Sequence, residues 1–288
     1  MDVIAFVLAH AGIAHRRDLA AAGFTSYRIG IAIRSGTLVP LGRMWIATAS
    51  VDPALALAAS IGGRIACTTA ARHLGLWTLT HDTPHVAVPP TSKVPRLDGV
   101  RLHRSIPLAP VRRTSIVEST VDVLAHVAVC LPREEALVIW ESALRLGRIL
   151  PSSVAHIPWR SIAAQTLANA CDVLSDSGLE TMVVDRLRAL GLPVRQQVAL
   201  LGHNVDILIG SRLVVQIDGW EHHSSAKDRA RDNRHDARLR AAGYRVIRIG
   251  YAEVVHGWAA IELEIVTAVA QLAHSGVHPR ATSGWVGR

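Results

Sequence analysis

The chain has 288 residues, 50% hydrophobic and 19% charged, so it can bury sizeable cores and falls outside the disordered class. Its formal net charge of +8 favours an anionic partner such as nucleic acid. Cys67, Cys130 and Cys171 are odd in number and lack any C-x-x-C pairing, which argues against a disulfide framework or zinc cluster and for a reducing cytosol.

The first 15 residues carry Asp2 and no basic stretch, a poor signal peptide. No apolar run approaches the ~20 residues needed to span a bilayer, so a cytoplasmic protein without a membrane partner is expected. The charge is uneven. Residues 1–170 hold 17 Arg/Lys against 10 Asp/Glu, and residues 171–288 hold 14 against 13. Only Lys93 and Lys227 among the cations are lysines, so part of the arginine excess can reflect a GC-rich genome rather than a partner.

In chain order, residues 2–10, 15–22 and 27–34 read as three short helices, with Thr25 or Ser26 as N-cap of the third. Residues 37–40 and 44–48 follow as two short strands. Three helices and a two-stranded hairpin is winged helix-turn-helix order. In that reading Thr25, Ser26, Tyr27, Arg28 and Arg34 lie on the recognition helix and Arg43 at the wing tip, where arginines suit phosphate or guanine contacts. The alternative is a small helical domain whose arginines are a solvated face. Residues 1–50, particularly Gly23-Phe24-Thr25 and Gly36-Thr37-Leu38-Val39-Pro40-Leu41-Gly42-Arg43, resemble the winged-helix domain of AbiEi-type antitoxins. That resemblance implies operon repression and a cognate nucleotidyltransferase toxin as partner.

Residues 51–160 read as a middle α+β domain, similar to the region that follows the winged helix in AbiEi-like proteins. Helices are expected at 53–61, 68–74, 118–128 and 133–146, with paired strands at 84–88 and 100–104 around a proline-marked loop. Arg96, Arg101, Arg104, Arg112 and Arg113 form a basic set best read as a solvated loop face. His73, His81, His85 and His103 have no metal-ligand spacing and read as incidental. Residues 148–161 break the helical pattern and are expected to mark a domain boundary.

The last domain, 166–275, is expected to run α-β-β-β-α-β-α, a mixed sheet covered by helices. Its centre is Val205-Asp206-Ile207-Leu208-Ile209-Gly210-Ser211-Arg212-Leu213-Val214-Val215-Gln216-Ile217-Asp218, two apolar strands about a Gly-Ser turn. A carboxylate inside a buried strand costs several kcal/mol without a partner or metal. Gln216 and Asp218 share a face, and Asp206 should lie across from residue 215 or 216. Such oxygen ligands suit Mg²⁺ or Mn²⁺. Asp228, Asp232 and Asp236 recur at helical spacing among arginines over 225–242, most simply a salt-bridge-laced exposed helix. Arg231 or Arg234 is a candidate phosphate clamp.

With Glu180 on the preceding helix, this order resembles the PD-(D/E)xK nuclease superfamily. More closely, Asp206, Val215-Gln216-Ile217-Asp218-Gly219-Trp220-Glu221-His222-His223 and Gly243-Tyr244-Arg245-Val246-Ile247-Arg248 look like the Vsr-like domains. The resemblance implies a restriction-endonuclease-like fold and a metal at Asp206, Gln216 and Asp218. It further implies Glu180 at a second metal or water, and His222 or His223 in proton transfer. The superfamily has Glu and then Lys where this chain has Gln216 and Asp218; Vsr-like enzymes also lack that lysine. The whole reads as an α/β (α+β) multidomain DNA-binding protein with a metal-dependent endonuclease-like domain. The alternative is an antitoxin-type repressor whose nuclease fold is inactive. Convergence of Asp206, Gln216, Asp218 and a histidine would favour the first; an ion pair drawing Asp218 away would count against it. The oligomeric state is left open.

Overall fold

The computed structural model describes residues 2–79, 82–175, 177–218 and 226–274, and side chains throughout these except 226–232. The protein is mixed α+β and divides into two compact units, Met1–Cys171 and Asp172–Arg288.

The first unit opens with α1 (Val3–Ala9), β1 (Ile13–His15), α2 (Arg16–Ala21), α3 (Ser26–Arg34), β2 (Leu38–Leu41) and β3 (Trp45–Thr48). The strands form an antiparallel sheet in the order β1-β3-β2. The three-residue β1 was not expected from the sequence: it exists because Ile13, Ala14 and His15 pair with Ala47, Ile46 and Trp45. The next helix therefore starts one residue later than expected, with His15 Nδ1 accepting the Arg17 amide at 3.1 Å as its cap. Phe6, Val7, Leu19, Phe24, Ile29, Leu38 and Ile46 close a core. At the β2–β3 turn Gly42 has φ +53, and a Cβ there would sit 2.9 Å from the Ala59 carbonyl oxygen. Both facts demand glycine.

The chain continues through α4 (Pro53–Ser60), β4 (Arg64–Ile65), α5 (Cys67–His73), β5 (His85–Val88), β6 (Arg101–Arg104), α6 (Thr120–Cys130), α7 (Arg133–Arg145), α8 (Pro151–His156) and α9 (Ile162–Ala170). Asp52 caps α4 through the Ala54 amide at 2.7 Å, ahead of Pro53 in its first turn. Strands β5 and β6 pair in parallel, with β4 antiparallel on the other side of β5. Leu55, Ile65, Val86, Leu124, Ile139 and Trp140 fill the core. The boundary expected at 148–161 is not there: that stretch carries α8, and Ala164 and Leu167 of α9 enter the same core. The first unit therefore runs to Cys171.

Arg104 donates to the Ser92 and Val94 carbonyls and stays exposed, as do Arg96, Arg101, Arg112 and Arg113. His85 and His103 are not incidental. They are buried side by side with Cys67 and near Cys130, a meeting that widely spaced residues do not advertise.

The second unit contains α10 (Gly178–Ala189), β7 (Val194–Leu200), β8 (His203–Ile209), β9 (Leu213–Asp218), α11 (Ala226–Ala241), β10 (Arg245–Gly250), α12 (Tyr251–His256) and α13 (Trp258–His274). One sheet has the order β10-β9-β8-β7. Two antiparallel hairpins build β7, β8 and β9, and β10 joins β9 in parallel after α11. The turns use left-handed residues: Leu201-Gly202 in the two-residue β7–β8 loop, and Gly210 in the three-residue β8–β9 loop. Leu213, Val214 and Val215 are completely buried, which explains their unbroken apolar run. Val205, Leu208 and Val214 pack on Leu239 of α11, while α10, α12 and α13 also contact the sheet. Among the described residues no helix is long and apolar enough to cross a membrane.

Candidate active site

Asp206 sits in β8 and Gln216 in β9, each an interruption of an apolar strand. The hairpin register pairs Ile209 with Leu213, Leu208 with Val214 and Ile207 with Val215; one further step brings Asp206 to Gln216. Two hydrogen bonds cross the strands here, one of them between the two residues themselves. The Ile217 amide donates to Asp206 Oδ2 at 2.8 Å, and the Asp206 amide donates to Gln216 Oε1 at 3.4 Å. Asp206 is half-buried and Gln216 buried. A carboxylate oxygen has more than one lone pair, so accepting an amide proton orients Asp206 Oδ2 without exhausting it. The pair is a set of hard oxygen donors, suited to Mg²⁺ or Mn²⁺ rather than to a soft metal.

Glu180 stands in the first turn of α10, where the Ser177 hydroxyl accepts its amide at 3.2 Å. Its side chain is buried and accepts from Gln197 Nε2 at 3.2 Å. Gln197 fills the gap in the β7–β8 pairing between Gln196–Ile207 and Val198–Val205, the position across from Asp206. It takes φ +49 there, a left-handed conformation that costs a non-glycine residue about 1–2 kcal/mol and marks functional sites more often than plain strands. Glu180 thus reaches the Asp206 neighbourhood through one side chain.

Asp218, the third expected metal ligand, is engaged in an ion pair. It is 60% exposed, and its Oδ1 is held by Arg248 Nη1 at 2.7 Å. Arg248 pairs with Gln216 in the β9–β10 register and so projects on the same side as Gln216 and Asp218. Its Nε also donates to Asp236 Oδ2 at 2.7 Å and its Nη2 to Asp236 Oδ1 at 3.3 Å. Burial opposes the guanidinium charge, but the hydrogen bonds and charges of Asp236 and then Asp218 outweigh it and raise the Arg248 pKa. The Arg248 guanidinium already faces the Asp218 carboxylate. The acidic ladder of α11 is accordingly not a uniform solvent face: Asp236 is 2% exposed.

His222 and His223 lie outside the described residues, as does the side chain of Arg231. Thr25, Ser26, Tyr27, Arg28 and Arg34 are all exposed at α3, with Ile29 and Ala32 turned into the core, and Arg43 is exposed in the β2–β3 turn. The Thr25 hydroxyl accepts the Arg28 amide at 3.4 Å as the N-cap. Gln197, Asp236 and Arg248 were missed by the sequence reading. Arg248 left a trace, a charge within the apolar strand 244–249; Gln197 left none, since only the pairing gap places it.

A restriction-endonuclease-like family model, REase_MTES_1575, matches residues 179–268. The matched stretch runs from α10 into α13 and holds Glu180, Asp206, Gln216, Asp236 and Arg248, so the C-terminal unit carries a nuclease-like domain. Among solved structures, the "Homing Endonuclease I-Bth0305I Catalytic Domain" is similar at 24% identity over 32% of this chain and 89% of that chain, with a TM-score of 0.25. No curated protein matches the chain.

Proposed function

We propose that this chain binds DNA and hydrolyses its phosphodiester bonds with a divalent metal, Mg²⁺ or Mn²⁺, in the C-terminal unit. The observation that carries the reading is the meeting of Asp206 and Gln216, bonded from the Asp206 amide to Gln216 Oε1, inside a stretch that matches a restriction-endonuclease-like family. The Asp206 carboxylate and the Gln216 amide oxygen would hold the cation, with Glu180 at a bound water or second ion. When bound, such an ion neutralises phosphodiester charge and lowers the pKa of its water. The chain's own residues do the rest. The Ile217 amide orients Asp206, Gln197 orients Glu180, and His222 or His223 takes or returns a proton at the departing oxygen. Arg248 is a positioning residue that holds Asp218 and Asp236 beside Gln216.

In the same reading, residues 1–50 are a winged helix that selects DNA. Its support is the order α1-β1-α2-α3-β2-β3, the β1-β3-β2 sheet and the exposed Tyr27, Arg28, Arg34 and Arg43. The deciding experiment is supercoiled-plasmid cleavage with Mg²⁺ or Mn²⁺, comparing wild type with Asp206→Ala. Metal-dependent nicking that the substitution abolishes supports the enzyme.

The Asp218–Arg248–Asp236 ion pairs favour a second reading, in which the nuclease fold is inactive. The chain would then be an antitoxin-type repressor, with a cognate toxin as partner. Absence of Asp206-dependent nicking on duplex, mismatched and single-stranded DNA, together with retained DNA binding, selects this reading.

A further inference from the structure

Four soft or borderline ligands meet in the first unit, none of them a residue used in the proposed function. Cys67 begins α5, His85 begins β5, His103 lies in β6 and Cys130 ends α6. Their ligand atoms all fall within 4.8 Å of one another. His103 Nε2 is 3.1 Å from His85 Nδ1, and Cys130 Sγ is 3.9 Å from the same Nδ1. Tetrahedral zinc with Zn–N near 2.0–2.1 Å and Zn–S near 2.3 Å has ligand edges of about 3.3 Å between nitrogens and about 3.6 Å between nitrogen and sulfur. The observed separations bracket those edges. Small shifts of the side chains would admit the ion.

The surroundings fit a closed structural site. Cys67, His85 and His103 are each less than one-tenth exposed. Cys67 holds φ +49, a strained backbone for a residue with a side chain. Behind the cluster, the His126 ring lies 4.3 Å from that of His103, and its Nε2 is 3.4 Å from Glu118 Oε1 and 3.3 Å from Ser105 Oγ. Glu118 is 7% exposed, its other oxygen, Oε2, has no hydrogen-bond partner, and its charge acts on Cys67. The Glu118 carboxylate and the His126 imidazole stand behind the ligands, an outer pair that can steady them.

We propose that Cys67, His85, His103 and Cys130 form a Cys₂His₂ site for a structural Zn²⁺ that pins α5, β5, β6 and the end of α6 together. The two thiol protons leave as the cation binds, so the bound site is two thiolates, two neutral imidazoles and one Zn²⁺. A buried Cys/His cluster that never meets a metal is the competing outcome. This site is independent of the oxygen-donor site in the other unit, and cobalt separates the two, because only the thiolates produce sulfur-to-cobalt charge-transfer bands.

The test uses the full chain, purified from zinc-supplemented cells. Metal content is measured by plasma mass spectrometry, and absorption is recorded after exchange into Co²⁺. The expected result is one zinc per chain, charge-transfer and tetrahedral d–d bands with Co²⁺, and loss of both in folded Cys130→Ala. Asp206→Ala should keep both. If Cys130→Ala does not fold, the wild-type cobalt spectrum and zinc release by a thiol-blocking mercurial decide the matter. Wild type with neither zinc nor cobalt charge transfer overturns the proposal, as does zinc retained at one per chain in a folded Cys67→Ala/Cys130→Ala variant.

Discussion

Arg248 Nε donates to Asp236 Oδ2 at 2.7 Å from the strand position that pairs with Gln216. The arginine side chain is 30% exposed and that of Asp236 only 3%. Removing the guanidinium would strand a buried carboxylate. Arg248→Met should therefore destabilise the second unit by roughly 2–4 kcal/mol, somewhat below the loss for a wholly buried pair because of the partial exposure. The double variant Arg248→Met/Asp236→Leu should recover much of that loss. Urea denaturation of the three proteins measures it, and equal losses in single and double variants would show that the pairing is not the cause.

Gln216 stands where the PD-(D/E)xK pattern that this stretch resembles would have Glu. In the proposed enzyme, Gln216→Glu adds a charged ligand beside Asp206 and should lower the Mg²⁺ concentration for half-maximal nicking by roughly tenfold, since ligand charge tunes affinity for hard cations. A metal titration of plasmid nicking reads this out directly. No leftward shift, in a protein that nicks, would remove Gln216 from the ligand set.

Arg28, Arg34 and Arg43 are exposed on α3 and the following turn. If residues 1–50 grip the DNA backbone, each arginine that touches a phosphate contributes about one unit to the salt slope of log K. Arg28→Ala and Arg43→Ala should weaken binding and flatten that slope, measured by fluorescence anisotropy of labelled duplex at several salt concentrations. Unchanged slopes would assign these residues to a solvated face.

His15 offers a pH test. It is 4% exposed, its Nδ1 caps α2, and its ring meets Trp45 edge-on at 5.0 Å. Burial lowers its pKa, with Arg17 adding to the effect and Asp18 opposing it. Because the folded pKa lies below the unfolded value near 6.5, the unfolded chain takes up the proton first as pH falls. The stability from neutral His15 is complete above about pH 6.5 and is lost as pH drops through the folded pKa. Denaturation at a series of pH values should show a shallower acid decline in His15→Asn, which can cap but does not titrate in this range.

The placement of the C-terminal candidate residues was legible to the degree that local pattern carries it. Asp206 and Gln216 stand out because each interrupts an apolar run, and the Gly210-Ser211 turn sets a register that puts them together. For Asp218, same-face alternation says which side the residue takes but not which charge awaits it. That charge comes from Arg248, thirty residues later on a parallel strand. Likewise, α11 looks from its sequence like an exposed charge ladder, and only packing reveals that Asp236 is inside.

By itself the sequence determined the helices with capped starts, the hairpin turns, the buried strands and the polar residues out of place within them, because propensity, capping and alternation act over a few neighbouring residues. Tertiary structure alone decided the three-residue strand at Ile13–His15, the left-handed Gln197 that links Glu180 to the Asp206 position, and the grouping of Cys67, His85, His103 and Cys130. Each depends on chain segments far apart in sequence being brought within a few ångströms, and no local spacing encodes that approach. The cysteines that looked too scattered for a metal are neighbours because α5, β5, β6 and α6 share one core.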